Sequence, residues 1–223
     1  MTKTIEDLFY YLVFLSDFLI IVQVLFFSQK VKNKRILWLI AAYCCLNSLS
    51  NYTTTTATST ISYYSLAFFT IAEYLVFAYF YFTVIKSSLF RKLILIFSII
   101  FSIVVIINYL QRYGQAIDSV PIGIETILIL LYSFYYLYEQ MNDLSDSFIY
   151  NRYHFWLAIG IMVYLGGSFF IYIFADTIDR TILNDYWFLT YAFYIIKNIF
   201  FLIGFASYNN TKPNKNQLRP SLN

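Results

Sequence analysis

Charge is scarce in this sequence. Asp, Glu, Lys and Arg make up 12% of its 223 residues, about half the share usual in a soluble domain, which excludes water as the main solvent for most of the chain. Histidine occurs once, as His154 beside Trp156, so no nucleophile–His arrangement and no cluster of metal-ligating side chains emerges. The two cysteines, Cys44 and Cys45, are adjacent and have no second pair, so neither a metal site nor an ordinary disulfide follows. The three prolines, Pro121, Pro213 and Pro220, interrupt no apolar run at its centre, and no Gly/Ser linker, charge block or long internal repeat divides the chain.

Apolar and aromatic residues take the vacant share, at 60% hydrophobic and 22% aromatic, with a mean hydropathy of +0.64. Runs long enough to cross a bilayer, roughly 17 to 25 residues, recur at 8–28, 36–53, 62–85, 92–110, 120–138, 154–175 and 187–208. Membrane strands alternate apolar and polar residues over about ten positions. FSIIFSIVVIINYL is apolar on every side, which points to helices. The first run is longer than the apolar core of a signal peptide, Lys3 is the sole basic residue before it, and no small-residue cleavage site follows, so it is expected to remain as a helix. The expected fold is all-α: one polytopic domain over 1–208, a bundle of seven transmembrane helices, followed by a flexible tail over 209–223. The expected location is the bacterial inner (plasma) membrane, with the lipid bilayer as first partner.

Basic residues set the orientation. Lys30, Lys32, Lys34 and Arg35 follow the first span, Lys86, Arg91 and Lys92 follow the third, and Lys212, Lys215 and Arg219 lie in the tail, against Lys3, Arg112 and Arg180 on the other side. The positive-inside rule then predicts the N-terminus out and the C-terminus in. The net charge of +3 is this bias, and no aromatic-basic groove supports a nucleic-acid partner. Glu139, Asp143 and Asp146 fall in the segment joining the fifth and sixth spans. They read as a solvated loop or as an acidic docking surface for a cytoplasmic partner.

Four ionisable residues sit inside the spans: Asp17 in the first, Glu73 in the third, Glu125 in the fifth and Lys197 in the seventh. A charge at the bilayer centre costs about 3 kcal/mol on insertion scales, and such residues mark candidate sites. Counted inward at 1.5 Å per residue, Asp17, Glu73 and Lys197 come out at roughly the same depth, about 15 Å, with Glu125 nearer the outer surface. Helical spacing adds stripes: Thr190, Tyr194 and Lys197; Thr70 and Glu73; Glu125, Tyr132 and Tyr136; Tyr43, Asn47 and Asn51; Gly160, Tyr164, Ser168 and Tyr172. If the stripes face inward, they form a tyrosine-rich pocket open to the outside, with the Lys197 ammonium held by Glu73 and Asp17. Asn198 stands beside the lysine. Buried ion pairs also serve as packing between helices, so the residues read either as glue or as a ligand or proton site. Gly166, Gly167 and Ser168 read as a point of close helix approach or a hinge, and Trp38 and Trp187 as interface anchors.

TIAEYLVFAYFYF, GIETILILLYSFYYLYEQ, FWLAIGIMVYLGGSFFIYIF and IIKNIFFLIGF together resemble a group of small, uncharacterised bacterial seven-helix integral membrane proteins. That group's pattern is an acidic residue in helices three and five, Phe-Trp opening helix six and Lys-Asn in helix seven. The resemblance covers most of the chain and implies that Glu73, Glu125, Trp156, Lys197 and Asn198 belong to the pattern; it brings no activity with it. The seventh-span lysine and third-span carboxylate are also similar to those of microbial rhodopsins, where the lysine carries retinal as a Schiff base and an acid is its counterion. Here Phe193 replaces the aspartate four residues before Lys197 and the sixth span lacks the proline, so no retinal on Lys197 and no other cofactor is expected.

The leading functional expectation is a sensory or accessory module that binds a small or lipophilic ligand, or a proton, and passes a helix shift to a cytoplasmic or membrane signalling partner. A proton-coupled small-solute transporter is the alternative suited to intramembrane carboxylates, although inverted-repeat transporters show matching halves and broken helices. An intramembrane lipid-modifying enzyme using Glu73 or Glu125 as general base is the third.

Overall fold

The computed structural model describes residues 2–28, 35–56, 58–111, 119–142, 149–175 and 179–210. Lys30, Lys32, Lys34, Arg112, Asp143, Asp146, Lys212, Lys215 and Arg219 lie outside them, as does most of the expected tail. Among the described residues the chain is helical and contains no strand. The elements are α1 (Thr2–Ser28), α2 (Arg35–Thr56), α3 (Ser59–Val84), α4 (Ser88–Gln111), α5 (Ser119–Met141), a 3₁₀ turn (Ile149–Asn151), α6 (Tyr153–Ile173), a short α7 (Arg180–Tyr186) and α8 (Phe188–Asn210). The seventh expected span is therefore α8.

Six of the long helices, α1, α3, α4, α5, α6 and α8, are apolar enough over 20 to 25 residues to cross a membrane, which makes the chain a multi-pass membrane protein. At 1.5 Å per residue, twenty residues reach about 30 Å, the thickness of the hydrocarbon core. The expectation of seven spans is thus met by length and apolarity for six. α2 has 22 residues but falls short in apolarity, because Asn47, Ser48, Ser50, Asn51 and four consecutive threonines, Thr53 to Thr56, fill its second half.

Neighbouring pairs close a ring: α1 packs on α2, α2 on α3, α3 on α5, α5 on α6, α6 on α8 and α8 back on α1, while α4 lies outside against α3 and α5. The peripheral place of α4 explains its one-sided burial. Ile94, Phe101 and Val105 are buried and Leu95, Ile96, Ile99, Ile100, Ile103 and Ile106 are exposed, a surface that suits acyl chains. Phe101 stacks on Tyr74 of α3 at 4.1 Å between ring centroids, and Phe90 on Tyr135 of α5 at 3.7 Å. Pro121 sits in the first turn of α5, where a missing N–H breaks no helical bond.

Helices α6 and α8 approach each other closely. A Cβ on Gly160 would lie 3.0 Å from the Lys197 carbonyl oxygen and from Phe200 Cβ, and one on Gly204 would lie 3.0 Å from the Tyr153 carbonyl oxygen. Of the Gly166-Gly167 pair, Gly167 lies against the Phe193 ring, which would block such a Cβ, whereas Gly166 has nothing within 4 Å. Helical geometry turns neighbouring residues to different faces, so one of the pair makes the approach.

At the other end of the ring from the α2 C-terminus, Glu139 lies inside the last turns of α5. Its two carboxylate oxygens accept the backbone N–H groups of Lys86 at 2.7 Å and Ser87 at 2.9 Å. These donors precede α4, and the bond locks the α3–α4 turn to α5. Glu139, expected in the acidic segment between the fifth and sixth spans, is thus part of α5 and bonded to the α3–α4 turn, while Asp143 and Asp146 lie outside the described residues.

Candidate functional site

Lys197 is fully buried, and the ring of helices surrounds its ammonium with aromatic faces. The centroids of Tyr194, Tyr43 and Tyr164 lie 3.4, 4.2 and 4.8 Å from Nζ, from α8, α2 and α6 respectively. A cation over a desolvated aromatic face gains about 2 kcal/mol, enough to offset much of the cost of placing it there. Nζ donates one hydrogen bond, to the Tyr43 hydroxyl at 2.8 Å, and that hydroxyl donates to Glu73 Oε1 at 2.6 Å. The expected direct hold of Glu73 and Asp17 on the ammonium is replaced by this relay. Depth along a helix fixes height but not lateral reach, and a tyrosine from α2 occupies the space between.

Asp17 has other partners. Its Oδ2 accepts from Asn47 Nδ2 at 2.9 Å and Ser48 Oγ at 3.1 Å, and its Oδ1 from the Tyr194 hydroxyl at 2.9 Å and Asn198 Nδ2 at 2.9 Å. Four donors match the lone-pair capacity of a carboxylate. They come from α2 and α8 and meet on α1, so the aspartate fastens three helices at one point. Asn198 also donates to Ser16 Oγ at 2.8 Å. Tyr194 has two roles: its hydroxyl binds Asp17 while its ring covers the ammonium.

The remaining acids face a cavity of about 310 Å³ inside the ring. Glu73, Tyr164 and Tyr194 line one end, and Thr54, Tyr63, Tyr109, Ile122 and Trp187 the other. The latter group lies near helix ends on the side of the bundle where α2 finishes and α8 begins. Glu125 lines the wall between them; it is 1% exposed, and its Oε1 has no hydrogen-bond partner among the described residues. Asn47, Asn51, Thr70, Tyr172 and Thr190 also contribute. Part of each expected stripe on α2, α3, α6 and α8 reaches this space, through Asn47 and Asn51, Thr70 and Glu73, Tyr164 and Tyr172, and Thr190 and Tyr194. Tyr132 and Tyr136 of α5 turn instead to α3, where the Tyr132 and Tyr74 hydroxyls lie 3.1 Å apart and both α5 rings lie beside Tyr81.

Of the sequence-derived set, Glu73, Glu125, Tyr164, Tyr194 and Asn47 line the cavity, and Asp17, Lys197 and Asn198 stand behind its wall in the two polar clusters. Tyr43 stood in the expected α2 stripe, but its place between Lys197 and Glu73 was not foreseen, and Ser48 was missed altogether. Tyr43 carried a signal, its spacing of four from Asn47; Ser48 lies off that stripe and carried none. His154 is not among the cavity's lining residues and lies beside Tyr153, with ring centroids 3.8 Å apart and planes tilted by 37°. Trp156 donates to the Tyr150 carbonyl at 2.8 Å and stacks on Phe200. Among the described residues no three His, Cys, Asp or Glu side chains are grouped to hold a metal ion.

Fold and site define an all-α membrane protein with an internal polar cavity. No family model, curated protein or solved structure matches the chain.

Proposed function

We propose that the chain is a sensory or accessory module of the inner membrane. Its seven helices include α2 as a membrane span, with the N-terminus out and the C-terminus in. On that orientation the cavity faces outward and takes a small or lipophilic ligand, or a proton. The helices then shift, and a cytoplasmic or membrane partner reads the shift.

The observation behind this reading is the cavity of about 310 Å³ with Glu73 and Glu125 in its wall, a volume within the range of small-molecule sites. An apolar core packed for stability alone fills such a space with side chains. Polar α2 supports its inclusion as a span: Tyr43 and Asn47 are buried against α1, α3 and α8, so its polarity is directed inward. A ligand moves the bundle only to the extent that it prefers one arrangement of helices.

The reading is tested by thermal unfolding of the protein in nanodiscs across a panel of small amphiphiles and a pH series, with cross-linking to membrane and cytoplasmic proteins alongside. A ligand or pH that raises the midpoint and changes the cross-linking pattern is the expected result. A midpoint and a pattern that stay fixed throughout rule the module out.

A further inference from the structure

We propose, on the ligand-pocket reading above, that the occupant is a small organic ammonium with an apolar or aromatic body. Three features of the cavity point to this class. The first is Glu125: a carboxyl buried to 1% exposure on the wall, with Oε1 lacking any hydrogen-bond partner among the described residues. A buried acceptor left without a donor costs about 1 to 3 kcal/mol, and an ammonium N–H entering the cavity supplies that donor.

The second feature is the balance of charge. Glu73 and Glu125 both line the space, and among the described residues its lining contains no Lys, Arg or His. Lys197 is held outside it, with its ammonium against the rings of Tyr194 and Tyr43 and its hydrogen bond spent on the Tyr43 hydroxyl. An anionic occupant would therefore meet two carboxyls and no lining cation, while a cationic one meets a complementary wall. A neutral occupant gains nothing from either acid beyond an ordinary hydrogen bond.

The third is the aromatic share of the lining. Eight side chains are Tyr, Phe or Trp, among them Phe69, Tyr164, Tyr191 and Trp187. Aromatic faces attract organic cations and shelter an apolar body, and the chain already holds one ammonium this way in the Lys197 cage. A bare inorganic cation prefers a shell of six or more oxygens, which rings do not provide.

The test uses three probes of matched shape and different charge: 2-phenylethylamine, 2-phenylethanol and 3-phenylpropanoate. Each is titrated into the full-length protein in phosphatidylcholine nanodiscs, whose zwitterionic surface does not itself select cations, with empty discs as blank. Binding is read as saturable tryptophan quenching and as a rise in unfolding midpoint. The expected result is binding of the amine at least about tenfold tighter than of the alcohol or the acid, with the preference lost in Glu125→Gln, as expected when one partner of a buried charged pair is removed. An alcohol or acid that binds as tightly as the amine overturns the inference and leaves the pocket standing, as does a preference that survives Glu125→Gln. Binding of none of the three also overturns the inference, and the amphiphile panel and pH series above then decide the pocket reading separately. The wild-type comparison decides the charge class by itself if the variant does not assemble.

Discussion

Lys197 reaches Glu73 through Tyr43, with the tyrosine hydroxyl accepting from the ammonium at 2.8 Å and donating to the carboxyl at 2.6 Å. A single oxygen from α2 thus joins α8 to α3. Tyr43→Phe keeps the ring over the cation and removes the oxygen from both bonds. It is expected to lower stability by about 1 to 3 kcal/mol, because the partners stay buried with nothing in place of the hydroxyl. Thermal unfolding in nanodiscs measures this; an unchanged midpoint would show that the relay contributes nothing.

The same relay predicts coupling between residues that do not touch. Lys197→Met and Glu73→Gln, made singly and together, should deviate from additivity by about 1 kcal/mol. In a Tyr43→Phe background that deviation should shrink toward zero. Persistence of the full coupling without the hydroxyl would place the interaction on another route.

Asp17 and Glu125 are predicted to differ sharply. Asp17→Asn replaces one acceptor oxygen by an amide N–H group that confronts two donors, and is expected to destabilise by about 2 kcal/mol or more. Glu125→Gln disturbs no bond at Oε1, and should change the ligand-free midpoint by much less. Equal losses from the two substitutions would contradict the geometry.

Packing between α6 and α8 gives a second contrast. Gly160→Ala drives a methyl against the Lys197 carbonyl and Phe200 Cβ, and overpacking of this kind costs about 1 to 3 kcal/mol. Gly166→Ala meets open space and should be neutral or stabilising, by up to about 1 kcal/mol from helix propensity. The pair is compared by unfolding midpoint, and the reverse order would mean that α6 is rotated about its axis from the arrangement described.

On the proposed orientation, a green fluorescent protein fused at the C-terminus should fluoresce in cells, and an alkaline phosphatase fused there should be inactive. A seventh span is required to bring the two termini to opposite sides. Active phosphatase at that end, with the N-terminus also outside, would take α2 out of the membrane.

The helices were legible in the sequence wherever apolar runs were long. The short α7, Arg180–Tyr186, had no such run, and among the long helices the signal was weakest in α2, read as 36–53 and found at Arg35–Thr56. Asn47 and Asn51 explain why: the groups that line the cavity are the ones that dilute the apolar signal of their helix. Heights along the spans put Asp17, Glu73 and Lys197 at one level, yet a helix has a circumference as well as a height. Asp17 is saturated by Asn47, Ser48, Tyr194 and Asn198 before it can meet the lysine. Spacing also left Gly166 and Gly167 equivalent, whereas the turn of α6 gives Phe193 to one of them. Glu139 was beyond reach for a different reason. Its partners, the N–H groups of residues 86 and 87, lie more than fifty positions away, and backbone donors leave no mark in a string of side chains.

That clasp has a mechanical consequence. Glu125 and Glu139 belong to one rod, fourteen residues or about 21 Å apart, and the far end is tethered to the turn that starts α4. Tethered so, α5 has a fulcrum: a push at Glu125 would swing the rod instead of sliding it, and α4 would follow the swing.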